Sequence, residues 1–379
     1  MSVGIGGYAN VYLEALLNSK RTDFEIVGMV DIHPESSRFF NQLSSMGVPL
    51  YSDMESFYKE NSADLAIITT PIFLHTRQIL CALENGSNVM CEKPMSGNSA
   101  DEKIIKSAAE AAGRFVMIGY QWSYSAAVQS LKSDIIKGKF GKALSMKTIV
   151  LWPRPRDYFT RGAGWAGKLN ASDGTPMFDS IANNAAAHYL HNMLYLLGTE
   201  TDKSAEANCV EATLFRANEI ENFDTAEIKF KTDCGCKCTF LGSHTTESLQ
   251  DPKFEYVFEN GKVVYGDEYK EITAFMNDGT TVRYGNPFSD VNEKIYIAIE
   301  NTKTGEKDVL CGVTAASAQT RCIEKVQKFP IMQVPDSLIS ERDDFIYVNG
   351  LYEEMLLCYN ENKSIRNGKI YRQVSDNAD

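Results

Sequence analysis

Two rhythms of apolar residues alternate through the first 120 positions of the chain. Short, nearly unbroken apolar runs at 25–30, 63–71, 89–91 and 115–119 have the length and the Gly, Pro or Asp flanks of buried strands. Between them Leu13, Leu16 and Leu17, then Ile79, Leu80 and Leu83, recur at helical spacing, with Gly86 standing where a helix ends. A further helix is expected over 99–112. Strand and helix in strict alternation predict a parallel sheet with helices on both faces. Only Met1, Ser2 and Val3 precede Gly4, so the first strand is either very short or begins upstream.

After residue 120 the pattern changes. Val128, Leu131 and Ile135 mark a helix that stops at Gly138, and 143–152 reads as a strand. From Thr225 onward a period of two dominates. Asn260-Gly261 between Tyr256-Val257-Phe258 and Val263-Val264-Tyr265, and Asp278-Gly279 between 272–276 and 281–284, predict hairpins. Cys234-Gly235-Cys236-Lys237-Cys238, running into Thr239-Phe240, has the same period and reads as a half-buried strand with thiols as small core residues. A helix over 314–326 comes next, and beyond Pro330 and Pro335 a charged tail is expected to fray. The expected fold class is α/β. An N-terminal Rossmann-type parallel sheet occupies 1–120, and a C-terminal α+β domain with a large, mostly antiparallel open sheet occupies 121–379. One face of that sheet is expected to pack on helices and the other to stay free, a surface suited to a homo-oligomer, dimer or tetramer.

With 379 residues the chain has room for two cores, and 44% hydrophobic and 23% charged residues are ordinary globular usage. Apolar runs of membrane-spanning length and secretory features after Met1 are both missing, so neither a membrane nor a leader is expected. A net charge of −12 speaks against nucleic acid as a partner. Nine cysteines, an odd number without framework spacing, read as reduced thiols of a cytoplasmic protein.

Candidate chemistry begins at Gly4-Ile5-Gly6-Gly7-Tyr8-Ala9, a G-x-G-x-x-G/A turn before a helix, whose glycines let a pyrophosphate approach the helix N-terminus. Asp31, at the end of the next strand, is placed to bind ribose hydroxyls and would repel a 2′-phosphate, so NAD is expected rather than NADP. The alternative is that Asp31 merely opens a turn before Pro34. Further on, Val89-Met90-Cys91 feeds Glu92-Lys93-Pro94, putting a lysine at the carboxyl edge of the sheet, where open α/β folds take their ligands. A lysine there can exchange an alcohol proton if burial or a neighbouring cation favours the neutral amine. Glu92 would oppose this if it touched the Lys93 amine, and is expected to point to the cofactor or the backbone instead.

Glycine turn, ribose acid, Thr69-Thr70-Pro71 and Glu92-Lys93-Pro94 together resemble the family of glucose-fructose oxidoreductase, inositol 2-dehydrogenase and the rhizopine-catabolism proteins. The resemblance implies a dinucleotide bound by Gly4, Gly6, Gly7, Tyr8, Ala9 and Asp31, with Thr70, Pro71, His75, Glu92, Lys93 and Gln121 beside it. It implies a cis bond before Pro94, an oligomer contact on the open sheet, and Lys93 as the acid/base. In this family an Asp precedes a catalytic His by four residues, and another Asp comes three residues later. Registered back from Gly198, His188 takes the histidine position, Asn184 the first Asp and His191 the second. Asn184 and His188, four apart, would share a helix face. Asn184 cannot accept a proton, which leaves it to orient the substrate hydroxyl or His188, while Asp179 can supply a carboxylate from the preceding loop.

The loop after residue 152 interleaves aromatics with cations, and Tyr158, Arg161 and Trp165 are its candidates for holding substrate with Asp179, Asn184 and His188. An ordinary loop packed on its own side chains, or a subunit contact, fits the same composition. His188 with His191, and the cysteine triplet, lack further ligands nearby, so no metal is expected. The implied activity is NAD-dependent hydride transfer to or from a secondary alcohol of a sugar, cyclitol or glycoside, with Lys93 as acid/base assisted by His188. Two rivals are a glycoside hydrolase that retains NAD and acts by transient oxidation and elimination, and a non-catalytic NAD-binding sensor or subunit.

Overall fold

The computed structural model describes residues 1–160, 164–289 and 291–376. Six short parallel strands make the first sheet: β1 (Ser2–Val3), β2 (Met29–Val30), β3 (Leu50–Tyr51), β4 (Leu65–Ile68), β5 (Asn88–Cys91) and β6 (Val116–Ile118). Their order is β3-β2-β1-β4-β5-β6. The apolar runs become strands because both faces of the sheet are covered, leaving no position on β5 exposed. The expected strand over 25–30 pairs only at Met29 and Val30. Successive connections leave β1 in opposite directions, so the carboxyl ends of β1 and β4 border the crevice typical of such sheets.

The second sheet has nine strands: β7 (Ala143–Leu151), β8 (Ala207–Arg216), β9 (Thr225–Thr232), β10 (Lys237–Ser243), β11 (Gln250–Phe258), β12 (Gly261–Gly266), β13 (Tyr269–Met276), β14 (Thr281–Gly285) and β15 (Ile331–Gln333). They run in the order β14-β13-β12-β11-β7-β10-β9-β8-β15, antiparallel except for the β7–β10 and β8–β15 pairs. Both predicted hairpins form, with Phe258 paired to Gly261 and Phe275 to Thr281. The cysteine triplet is only partly a strand. Cys234 and Gly235 lie in the turn between β9 and β10, where Gly235 takes φ +83, and the strand starts at Lys237. Period-two spacing cannot separate a strand from a tight turn that leads into it.

Two expectations fail at the C-terminus. The tail does not fray over its described length: it forms a hairpin, β16 (Ile339–Arg342) and β17 (Phe345–Val348), then helices Leu351–Glu361 and Lys369–Ser375. Nor is the outer sheet face free. Ile149, Leu151, Phe215 and Leu241 on that face form a second core with Val348, Met355, Ile365, Ile370 and Val374. Charged residues at the surface of these helices mask the apolar stripe that the sheet buries. A helix the pattern did not announce, Glu293–Thr304, packs back on β4 and β5 of the first sheet. Its Ile295-Tyr296-Ile297 centre has strand-like composition, yet Lys294, Ile295, Ala298 and Ile299 are buried at helical spacing.

Candidate active site

The glycine turn comes directly after β1. Gly4 has φ +75, and a Cβ on it would lie 3.0 Å from Thr70 Cγ2, so the two strand ends approach only because residue 4 has no side chain. Thr69 Oγ1 donates to Gly4 O at 2.6 Å across the same gap. A Cβ on Gly6 would overlap Ser36 Oγ, whereas Gly7 at φ +54 faces open space. Helix Ala9–Leu17 has no side-chain cap, and its first N–H groups, those of Ala9, Asn10 and Val11, turn back on the carbonyls of Gly6, Gly7 and Tyr8. Asp31 accepts from Ile5 N and from His33 N, both at 2.7 Å, which fixes its carboxylate beside the turn. Tyr8 O–H donates to Gln121 Oε1 at 3.2 Å, bringing two predicted cofactor residues together. Open space at Gly7, an uncapped helix start and a fixed acid fit a dinucleotide with a free ribose.

His75 has no exposed surface. Its ring nitrogens lie 2.8 Å from Pro94 O and 2.9 Å from Thr70 O, and burial lowers its pKa. It braces the turns that carry Thr70, Pro71 and Glu92-Lys93-Pro94. The Lys93–Pro94 peptide bond is cis.

At the end of β5 the two charged side chains part. Glu92 turns inward: its Oε2 accepts from the Lys93 backbone N–H at 3.0 Å, and its Oε1 takes the Tyr12 hydroxyl and, at 2.6 Å, the Lys294 ammonium. Burial pushes this carboxyl toward the neutral acid, but the charges of Lys294 and Lys93 outweigh it and hold the pKa below the usual range. Lys294 is completely buried, also donates to Gly119 O at 3.0 Å, and lies over the rings of Tyr8 and Tyr12 at 5.5 and 4.9 Å. Sequence reasoning missed it because the helix carrying it was missed.

Lys93 turns the other way. Its Nζ donates to Asn184 O at 3.0 Å and to Asn184 Oδ1 at 3.1 Å. Asn184 Nδ2 donates to Asp179 Oδ1 at 2.8 Å, and Asp179 Oδ2 accepts from Gly167 N at 2.5 Å. A buried carboxylate therefore stands one amide away from the lysine. Asn184 does not share a helix with His188, since helix Ala187–Leu196 begins after it; Asn184 lies in the preceding turn. The His188 Nδ1 atom is buried with no hydrogen-bond partner among the described residues, and its ring meets Tyr120 edge-on at 6.0 Å. Burial first, then the charges of Lys93, Lys294 and His191, hold His188 neutral at pH 7. His191 points into the core, stacked on Tyr120 at 3.8 Å with Nε2 3.0 Å from Ser123 Oγ.

The aromatic loop sits at the carboxyl ends of β7 and β10. Trp152 packs on Tyr189 at 5.6 Å, next in sequence to His188, and its carbonyl lies 2.8 Å from His244 Nδ1. Tyr158 lies 5.6 Å from the His244 ring. Arg154, passed over among the candidates, lies over the Trp152 and Tyr158 rings at 5.6 and 5.1 Å, with a buried Nε lacking a hydrogen-bond partner among the described residues. Trp165 opens the turn whose Gly167 binds Asp179. Arg161 falls outside the described residues.

A glycine turn answered by an acid at the next strand end, with a lysine at the sheet edge, is the arrangement of a dinucleotide-binding α/β fold. Residues 2–120 match the model of the oxidoreductase family with an NAD-binding Rossmann fold, GFO_IDH_MocA. The chain is 30% identical over 145 residues to glucose-6-phosphate 3-dehydrogenase of Bacillus subtilis, covering 38% of this chain and 40% of that one. It is 34% identical over 82 residues to inositol 2-dehydrogenase of Rhodococcus jostii, covering 21% and 22%. The chain spans about half the length of the curated relatives it matches, or less. In fold, the WlbA dehydrogenase of Bordetella pertussis, solved with NADH and UDP-GlcNAcA, superposes with a TM-score of 0.69 over 86% of this chain and 95% of that one, at 21% identity.

Proposed function

We propose that the protein is an NAD-dependent oxidoreductase acting on a secondary alcohol of a sugar, cyclitol or glycoside. The observation that carries this reading is the Lys93 amine, held on the neutral side chain and carbonyl of Asn184 at 3.0–3.1 Å while the adjacent carboxylate of Glu92 is engaged elsewhere. Lys93 takes the hydroxyl proton on oxidation and returns it on reduction. Neutral His188 offers the same hydroxyl a hydrogen bond, and Asn184 orients the amine through Asp179. NAD, when bound, supplies the hydride acceptor or donor. Gly4 to Ala9 and Tyr8–Gln121 would hold it, and the carboxylate of Asp31 favours a free 2′-hydroxyl over a phosphate. Tyr158, Trp165 and Arg154 are assigned to the substrate, and Arg161 joins them on its position in the chain.

The names of the relatives, a sugar-phosphate and an inositol dehydrogenase, support an alcohol of this class. Among the described residues no helix is long and apolar enough to cross a membrane, and none of the nine cysteines is paired, which suits a reducing cytoplasm. Assembly into a dimer or tetramer would use β12 to β14, which contribute nothing to the C-terminal core.

The test is a screen of sugars, inositols and glycosides for change at the reduced-nicotinamide absorbance, with Lys93→Ala as control. Turnover that Lys93→Ala leaves intact overturns the reading. Release of aglycone without net nicotinamide change would select the hydrolase, and nucleotide binding without turnover on any of these would select the sensor.

A further inference from the structure

Lys294 lies some two hundred positions from the Glu-Lys-Pro segment, yet it is sealed against it. Its ammonium is 0% exposed and touches Glu92 Oε1 at 2.6 Å and Gly119 O at 3.0 Å. Gly119 is itself constrained, since a Cβ there would lie 2.7 Å from Glu92 Oε1. The pocket thus has one orientation for the Glu92 carboxylate, with its other oxygen on the Lys93 backbone N–H. Without a cation at this spot, a buried carboxylate beside Lys93 would have one remaining positive group within reach, the Lys93 ammonium.

We propose that Lys294 is a positioning residue for the proton-transfer lysine: it takes up the charge of Glu92 and pins it to the backbone, so that the carboxylate does not pair with the Lys93 amine and stabilises its charged form less than it otherwise would. The inference rests on the reading of Lys93 given above, but concerns the amine itself and is measurable without a substrate.

The groups facing this pair come from several elements. Tyr8 and Tyr12 face it from helix Ala9–Leu17 and the turn before it, Cys91 and Lys93 from the end of β5, and Tyr120 and Tyr124 from the segment after β6. His75, His188 and Cys311 feel its charges from the remaining sides. The tyrosines and thiols stay neutral through the working range because burial raises their pKa values, and the two histidines stay neutral because burial lowers theirs. Between about pH 6 and 10, Lys93 is therefore the group near this pair whose ionisation a change at Lys294 should move.

The experiment labels the purified protein with trinitrobenzenesulfonate at a series of pH values and quantifies modification on the Lys93-containing peptide. Lys294→Met should raise the pH of half-labelling of Lys93 by about one unit, because Glu92 becomes its nearest counter-charge. Lys294→Arg, which keeps the charge, and the double variant Glu92→Gln/Lys294→Met, which removes both charges, should return it to the wild-type value. If Lys294→Met fails to fold, Lys294→Gln retains a hydrogen-bond donor for Glu92 and should give the same upward shift. An unchanged or lowered half-labelling pH in the folded Met or Gln variant overturns the inference. Loss of turnover in Lys93→Ala tests the underlying reading separately, since the labelling shift does not depend on catalysis.

Discussion

Two buried lysines of this chain have opposite company. Lys294 meets a carboxylate, Glu92, whose charge opposes the effect of burial. Lys132 is equally sealed in helix Ala126–Ile136, but donates to two carbonyls, Thr201 O at 3.0 Å and Lys203 O at 2.6 Å, and lies 3.4 Å over the Tyr195 ring. With no carboxylate bound to it among the described residues, burial takes its amine down to about 7. The contrast separates the two terms that set a lysine's charge. Desolvation lowers an amine in both places, and at Lys294 the bound carboxylate works against that lowering. Lys93 donates to the side-chain oxygen and the carbonyl of Asn184, while the carboxylate at the next residue, Glu92, is bound by Lys294.

The sharpest way to break this comparison is Lys93→Ala. Loss of about 10²–10⁴-fold in kcat/KM on a substrate found in the screen is expected, with NAD affinity retained. Next in size is Lys294→Met. Leaving the buried Glu92 carboxylate without its Lys294 partner should cost about 3–5 kcal/mol in urea unfolding, and Glu92→Gln in the same chain should recover part of it. Lys132→Met removes the donor to Lys203 O, while Thr201 O keeps the Tyr195 hydroxyl, and should cost about 1–3 kcal/mol, less than breaking the ion pair.

The same pair predicts a pH dependence. The folded pKa of Lys132 lies below its unfolded value of 10.5, so above about pH 7 the unfolded chain binds the extra proton. The stability of wild type relative to Lys132→Met should therefore rise as pH increases from about 7 toward 10, by up to about 1.4 kcal/mol per pH unit. A flat difference would remove Lys132 from the comparison. The smallest expected effect is that of Asn184→Asp. A carboxylate at Lys93 favours its charged form, moving the acid limb of the kcat/KM profile up by about one pH unit.

Much of the candidate site was legible because it is local. Gly4, Gly7, Asp31 and Glu92-Lys93-Pro94 each come just after a strand, and the end of a strand delivers the next few residues to one side of a parallel sheet. Asp179 could be suspected from the sequence because it stands only five residues before Asn184. Lys294 could not, since its partner is 202 positions away and its helix carries a strand-like composition. His75 shows the converse: the family resemblance put it beside the dinucleotide, and what packing adds is its burial between Thr70 O and Pro94 O. The outer sheet face was misread for a related reason. Alternation tells which residues leave a strand on the same side, but not whether a later segment of the chain returns to cover them.

Sequence alone thus determined the two sheets, parallel and then mostly antiparallel, and which short motifs follow the strands of the first, because each depends on periodicity or turn chemistry within a few residues. Tertiary structure decided the charge environment of those motifs: that Glu92 faces Lys294, that Lys93 rests on an amide backed by Asp179, and that residues 334–374 close the second sheet. Those outcomes depend on burial and on contacts between distant segments. Desolvation is a property of the packed volume, which no local pattern of residues carries.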